Sequence, residues 1–236
     1  MRYPHPLRIG TFVRRYKRFL ADVVLPTGEL VTVHCPNSGA MTTCAEPGRP
    51  ALIGDHGPDT SRKLRYTLEA VHMGEAWVGI NTMHPNRVVH EAIARGAIAE
   101  LCGYPVLRRE VVYGRGGHSR IDIFLSGHAD LPDAYVEVKN TTLREGDVAR
   151  FPDAVTLRGQ KHIEELERVV EQGHRGVLVF FVGRADCHAM APADHIDATY
   201  GKLLRRAVKR GVEALAYRAE LGPDGIALAE RVEVRL

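Results

Sequence analysis

The sequence predicts two units, a small β-barrel over residues 1–82 and an α/β unit over residues 83–236. Two observations predict this. The first third is a series of short apolar-alternating runs punctuated by Gly and Pro, which is how small antiparallel barrels read. After residue 83 helix-period and strand-period segments follow one another, the signature of packed α/β layers. A third observation bears on function: strand-like runs near the middle carry charge among branched and aromatic residues.

In the first unit LRIGTFVRRYKRFLADVVL (7–25) reads as one long strand. GELVTVHCPN (28–37) follows a Thr27-Gly28 turn, and RPALIG (49–54), KLRYTLEAVHM (63–73) and AWVGINT (76–82) are further strands. Five strands with little helix fit an oligonucleotide-binding (OB) barrel. In the second unit NRVVHEAIARGAIAELCGY (86–104) reads as a helix with Asn86 as N-cap and Gly103 as stop; Val89, Ile93, Ala97 and Leu101 form its apolar stripe. VLRREVVYG (106–114), SRIDIFLSG (119–127) and AYVEVKNTTL (134–143) are strands, with GRGG (114–117) as the hairpin between the first two. A helix over 154–172, a strand over 176–184, a helix over 195–211 and a strand over 212–221 complete the order αβββαβαβ. No internal repeat or low-complexity tract interrupts it.

Composition is that of an ordinary globular chain, with 44% apolar and 26% charged residues. The net charge of +3 permits a polyanionic partner without demanding one. The N-terminus has no apolar core of a signal peptide, and no apolar run approaches the roughly 20 residues of a membrane span. Cys35, Cys44, Cys102 and Cys187 are scattered without a CxxC pair, which reads as free thiols in a reducing cytoplasm. No membrane partner is expected.

Side chains alternate along a strand. In SRIDIFL, Ile121, Ile123 and Leu125 share one face and Asp122 the other; in YVEVKN, Val136 and Val138 oppose Glu137 and Lys139. If the strands are neighbours with aligned apolar faces, Asp122, Glu137 and Lys139 converge. Two carboxylates at one point repel unless a cation lies between them, and hard oxygen ligands suit Mg²⁺ or Mn²⁺. Such an ion polarises a phosphoryl oxygen, and a lysine beside it orients water or offsets developing charge. The competing reading of Glu-x-Lys is a solvated strand face.

This pattern resembles the PD-(D/E)XK phosphodiesterase superfamily with the restriction-endonuclease-like αβββαβ core. The resemblance implies Asp122 and Glu137 as metal ligands, the Val138 carbonyl as a third, and Lys139 as catalytic lysine. It further implies an acidic residue from the first helix, Glu91 or Glu100, and a polar one from the second, where Gln160 and Lys161 stand. A Pro usual before the Asp is replaced by Ile121. Across nearly the whole chain, RRYKRFLADV, HCPNSGAM, WVGINT, HEAIARGAIAELCGY, EVVYG, SRIDIFL, YVEVKN, FPDAVTLRGQKHIEEL and PADHIDATY are similar to the sugar fermentation stimulation protein A family. That resemblance implies an OB-like domain before a nuclease-like domain, DNA binding with little sequence preference, and a regulatory link to sugar (maltose) metabolism.

FVRRYKRF (12–19) interleaves Arg14, Arg15, Lys17 and Arg18 with Tyr16 and two phenylalanines. Cations for phosphates and rings for bases suit a nucleic acid, single- or double-stranded; the alternative is a basic edge strand that discourages aggregation. Arg62 and Lys63 form a second basic cluster, Arg120 flanks Asp122, and Arg158 and Lys161 open the second helix. Asn37-Ser38-Gly39 reads as a structural turn, with exposed amides as the phosphate-binding alternative. No P-loop, GxGxxG turn or nucleophile elbow is present. Two functions follow: a metal-dependent nuclease acting on DNA, or a non-catalytic DNA-binding regulator. Either leaves room for a homodimer.

Overall fold

The computed structural model describes residues 1–114 and 119–236. The hairpin expected over GRGG falls largely outside them. The first unit has six strands: β1 (Leu7–Tyr16), β2 (Leu20–Val24), β3 (Leu30–His34), β4 (Pro50–Asp55), β5 (Tyr66–His72) and β6 (Trp77–Gly79). Antiparallel ladders join β1 to β2, β2 to β3, β1 to β4 and β4 to β5. A parallel bridge between His34 and Thr67 closes the ring β1-β2-β3-β5-β4, and β6 adds to β5 outside it. Phe12, Val23, Val33, Ile53, Leu68 and Val78 fill the interior.

The single long strand expected over 7–25 is a hairpin instead. The chain reverses between Tyr16 and its partner Leu20, with Lys17 at φ 46° and Arg18 at φ 64°. Neither residue is the Gly or Asn that advertises a left-handed turn. On the barrel rim the buried Asp55 accepts from Arg65 Nε at 2.7 Å and Nη2 at 2.8 Å, from Arg8 Nε at 2.7 Å and from the Gly57 amide. The Arg65 bonds outweigh burial and hold this carboxyl well below the usual aspartate range.

The second unit begins with α1 (Pro85–Ala94) and a 3₁₀ turn at Ala99–Leu101. There follow β7 (Val106–Tyr113), β8 (Ser119–Ser126), β9 (Ala134–Thr141), β10 (Leu143–Glu145), β11 (Val148–Phe151) and α2 (Leu157–Glu171). The chain ends with β12 (Arg175–Val182), β13 (Ala189–Pro192), α3 (Ala198–Lys209), β14 (Glu213–Gly222) and β15 (Gly225–Val234). The strands form one sheet in the order β10-β11-β13-β15-β14-β12-β9-β8-β7, parallel through β9, β12 and β14 at its centre. One face packs under α1, with Val136, Val177 and Val179; the other packs under α2 and α3, with Leu178, Phe180 and Leu204. The expected αβββαβαβ framework is present, with β10, β11, β13 and β15 added. The first helix is shorter than expected, because Gly96 at φ 71° reverses the backbone after Arg95 and its amide bonds Ile93 O. Asn86 is not the N-cap: His84 caps, and Pro85 opens the helix. Among the described residues no helix is long and apolar enough to cross a membrane.

The two units are joined by buried polar groups. Arg184, 2% exposed, pairs through Nε and Nη2 with both oxygens of Asp186 and donates from Nη1 to Thr142 O at 2.8 Å. Thr43 of the barrel reaches the same point, donating to Thr142 O and accepting from Arg144 N. Arg144 in turn bridges Asp186 and Glu75. The N-terminus crosses the other way: the Met1 ammonium donates to Ile226 O at 2.7 Å.

Arg184→Met should cost about 3 kcal/mol, since it removes the two-pronged partner of the buried Asp186 carboxylate, leaving it Arg144 alone, and takes a donor from Thr142 O; a loss below about 1 kcal/mol in urea denaturation would contradict this role. Asp55→Asn should cost about 1 kcal/mol at pH 7, both guanidinium partners being partly solvated. Because the folded Asp55 titrates low, its contribution is complete above the ordinary value of about 3.9 and is lost as pH falls below it. The gap between the Asp55→Asn and native midpoints should therefore narrow at pH 3.

Candidate functional site

The site lies where β8 and β9 part. Their ladder covers Ile123↔Val136, Phe124↔Tyr135 and Leu125↔Ala134, and the next rung in that register would oppose Asp122 to Glu137. That rung is not made. The Val138 amide donates instead to Asp122 Oδ2 at 2.8 Å, so a side chain replaces a strand partner. The β7 ladder also skips this level, passing from Arg109↔Ile123 to Val111↔Ile121, with Glu110 at φ 54° between. The face of β8 changes there: Ile123 and Leu125 belong to the core under α1, Ile121 to the core under α2 and α3. The expected single face for Ile121, Ile123 and Leu125 is corrected accordingly.

Asp122 is held from α1, where Asn86 Nδ2 donates to Oδ1 at 2.6 Å. Burial, followed by the charge of Glu137, pushes its carboxyl up to about 7 despite these bonds. Glu137 is 3% exposed. Its Oε1 accepts from Lys139 Nζ at 2.8 Å and from His162 Nδ1 of α2, while Oε2 has no partner among the described residues. Burial works to raise Glu137, but Lys139 and His162 outweigh it and hold the carboxyl below its ordinary value. Arg158 Nε approaches His162 Nε2 at 3.4 Å; with that nitrogen accepting, Nδ1 carries the proton given to Glu137.

Other expected site residues are placed elsewhere. Gln160 donates to both oxygens of Asp197 at 3.0 Å, bracing the N-cap of α3 rather than meeting the carboxylates. Glu91 is held by Arg87 and the Met1 ammonium, and Glu100 by Tyr217 and Arg231. Neither joins Asp122 and Glu137: among the described residues no group of three or more Asp, Glu, His or Cys is arranged to hold a metal ion. His162 takes the position for which Gln160 was expected. The signal for it was its place on the buried stripe of α2 with Ile163 and Leu166.

The basic run is partly committed inside the barrel. Arg14 and Tyr16 bond the buried Asp22. Arg15 donates to the carbonyls of Asn37 at 2.7 Å and Gly39 at 2.8 Å, clamping the loop after β3, and Arg18 donates to Ser38 O at 3.0 Å. Arg14, Arg15, Tyr16 and Arg18 thus each have partners within the protein. Arg62, Lys63, Lys17 and Lys161 are exposed, and Arg120 lies 3.8 Å from Glu110. The clamped loop lines a cleft of about 310 Å³ together with Val138, Lys139 and Asn140 of β9 and the segment Phe151–Thr156. The Asn37-Ser38-Gly39 turn is thus structural, as expected, and also borders the cleft that β9 lines.

Comparison with known proteins gives a consistent result. Residues 13–80 match the SfsA N-terminal OB domain and residues 83–225 the sugar fermentation stimulation protein RE domain. Sugar fermentation stimulation protein homologs of Geotalea uraniireducens and Pelobacter propionicus are 54% and 55% identical to this chain over 236 residues, covering the whole of both chains in each case. The structure of Pyrococcus furiosus SfsA in complex with Ca²⁺ superimposes with a TM-score of 0.87 at 27% identity, over 100% of this chain and 98% of that one. An N-terminal OB domain followed by a C-terminal α/β domain is therefore the fold, and the chain belongs to the sugar fermentation stimulation protein family.

Proposed function

We propose that the chain is a divalent-metal-dependent phosphodiesterase that binds DNA with little sequence preference and acts at the fork between β8 and β9. The observation that carries this reading is the half-buried Asp122 facing the buried Glu137, with Lys139 beside them and Glu137 Oε2 without a partner among the described residues. Two hard carboxylates of which one oxygen is free fit Mg²⁺ or Mn²⁺. Mg²⁺ needs only one or two protein carboxylates, because water and substrate phosphate supply the rest, so a third acidic side chain is not required. Asp122, Glu137 and the Val138 carbonyl would hold the ion, which when bound supplies Lewis-acid stabilisation to the phosphoryl oxygens. That the P. furiosus relative is described in complex with Ca²⁺, another oxygen-seeking ion, supports a cation site on this fold.

The chain's own groups have separate tasks. His162 and Lys139 fix Glu137, and Lys139, which also lines the cleft, would offset charge that builds on a phosphate bound beside Glu137. Arg158 and Lys161 at the start of α2 supply phosphate contacts, helped by the helix N-terminus. Lys17 and Arg18 at the hairpin tip, with Arg62 and Lys63, extend the cationic surface over the barrel. The four cysteines carry no disulfide in the described residues and fit a reducing, cytoplasmic setting. A second reading, a non-catalytic DNA-binding regulator of sugar (maltose) metabolism, is favoured by one observation: both Asp122 oxygens are already hydrogen-bonded.

Supercoiled plasmid and labelled single strands incubated in EDTA, Mg²⁺ or Mn²⁺ separate the two readings. Cleavage should require metal and vanish in Asp122→Ala and Glu137→Ala while gel-shift binding persists; undiminished cleavage in either variant would sink the nuclease reading, and shifted but uncut DNA throughout would favour the regulator. Independently of turnover, Mn²⁺ should raise the melting temperature of the native protein and not of Glu137→Ala, since an ion bound only to the folded state stabilises it.

A further inference from the structure

Glu69 on β5 is a buried carboxylate of the barrel, 3% exposed. The β4–β5 register passes from Leu52↔Ala70 to Ile53↔Leu68, so Glu69 is an extra, unpaired residue of its strand. A bulge of this kind re-aims a side chain. β4 makes room for it with Gly54, where a Cβ would come within 2.9 Å of Glu69 Oε1. Glu69 Oε2 accepts from Asn81 Nδ2 at 2.8 Å and from His84 Nε2 at 2.6 Å, and the Glu69 carbonyl accepts from the Ile80 amide at 2.8 Å. Asn81 Oδ1 in turn accepts from the Met83 amide at 3.0 Å. The turn that leads from the barrel into α1 is thus held from one barrel residue.

His84 is the N-cap of α1, yet its side chain makes no bond to the helix's own amides; it is given to Glu69 instead. Its carbonyl accepts the first helical bond, from the Val88 amide at 3.0 Å, and Pro85 fixes the next backbone angle. Asn86 follows, and it donates to Asp122 Oδ1 at 2.6 Å. A hydrogen bond weakens steeply with misalignment, so the place where α1 starts decides whether Asn86 meets Asp122. We propose that Glu69 is a positioning residue for the fork: through His84 it sets the start of α1, and through Asn86 the orientation of Asp122 toward a bound divalent ion. This rests on the metal reading above and extends it into the barrel. A carboxylate that served only to join the two units would stabilise the fold without affecting metal affinity.

Calorimetric titration of Mn²⁺ into the native protein and its variants, without DNA, tests it. Asn86→Ala should weaken Mn²⁺ binding about tenfold, the usual scale for losing a partner behind a metal ligand. Glu69→Ala should weaken it about as much, and the double variant no further, whereas independent effects would multiply to about a hundredfold. Glu69→Gln, which keeps an acceptor oxygen for Asn81 and His84, should restore most of the affinity. Asp55→Asn, at a buried barrel carboxylate whose partners are Arg8, Arg65 and the Gly57 amide, should bind Mn²⁺ as the native protein does. If Glu69→Ala does not fold, His84→Ala takes its place under the same criteria. Native affinity in Glu69→Ala, or fully multiplied losses in the double variant, overturns the inference and leaves the metal reading standing; absence of Mn²⁺ binding by the native protein overturns both.

Discussion

Everything around the site follows from one electrostatic constraint: Glu137 is buried and Asp122 half-buried where two core strands separate, and two carboxylates so placed repel. Loss of solvent first, and that repulsion second, raise the Asp122 carboxyl. The surrounding elements supply what the pair needs. Asn86 comes from α1 on one face of the sheet, His162 from α2 on the other, and Lys139 from the same strand two residues on. A buried carboxylate without such partners would be protonated or expelled, so the helices serve the fork as much as they cover the sheet.

The barrel is part of the same construction. Arg15 spends its guanidinium on carbonyls of the Asn37–Ala40 loop, and Asn37 Nδ2 reaches back to Ile80 O. Thr43, a few residues further, meets the buried Arg184–Asp186 pair. The loop is thereby fixed from within the barrel and from the C-terminal unit together. Buried charge-assisted bonds have steep geometric requirements, so the wall they hold has a defined position relative to Lys139.

The sequence carried much of this and hid the rest for identifiable reasons. The alternation of Val136 and Val138 with Glu137 and Lys139 was readable because β9 is regular and its apolar residues lie in one core. The same logic failed one strand away at Ile121, because the ladder break sits opposite Glu110, whose left-handed backbone no residue type announces. Lys17 and Arg18 concealed the hairpin for the same reason. Pro85 did announce the start of α1, yet Asn86 looked the better cap; its side chain was needed for Asp122 instead. Gln160 and His162 are two residues apart and so on different sides of α2, and the buried stripe, rather than the residue type, tells which one faces the fork. Strand β15 was overlooked because its Glu and Arg residues face solvent, although Gly222 and Gly225 bracket its turn.

HCPNSGAM, YVEVKN and the start of FPDAVTLRGQKHIEEL lie far apart in the chain and meet in one cleft. The barrel places this loop against the strand carrying Glu137 and Lys139, and a buried arginine holds the two units together beside it. Loop and strand are brought together at the cost of desolvating Arg184, Asp186 and Thr142 O, a cost that is offset only while all three are paired. The cleft therefore exists only in the assembled chain: neither the barrel nor the α/β unit alone has both walls. The shape of the cleft and its place beside Lys139 are in that sense one property, set by how the two units are pinned together.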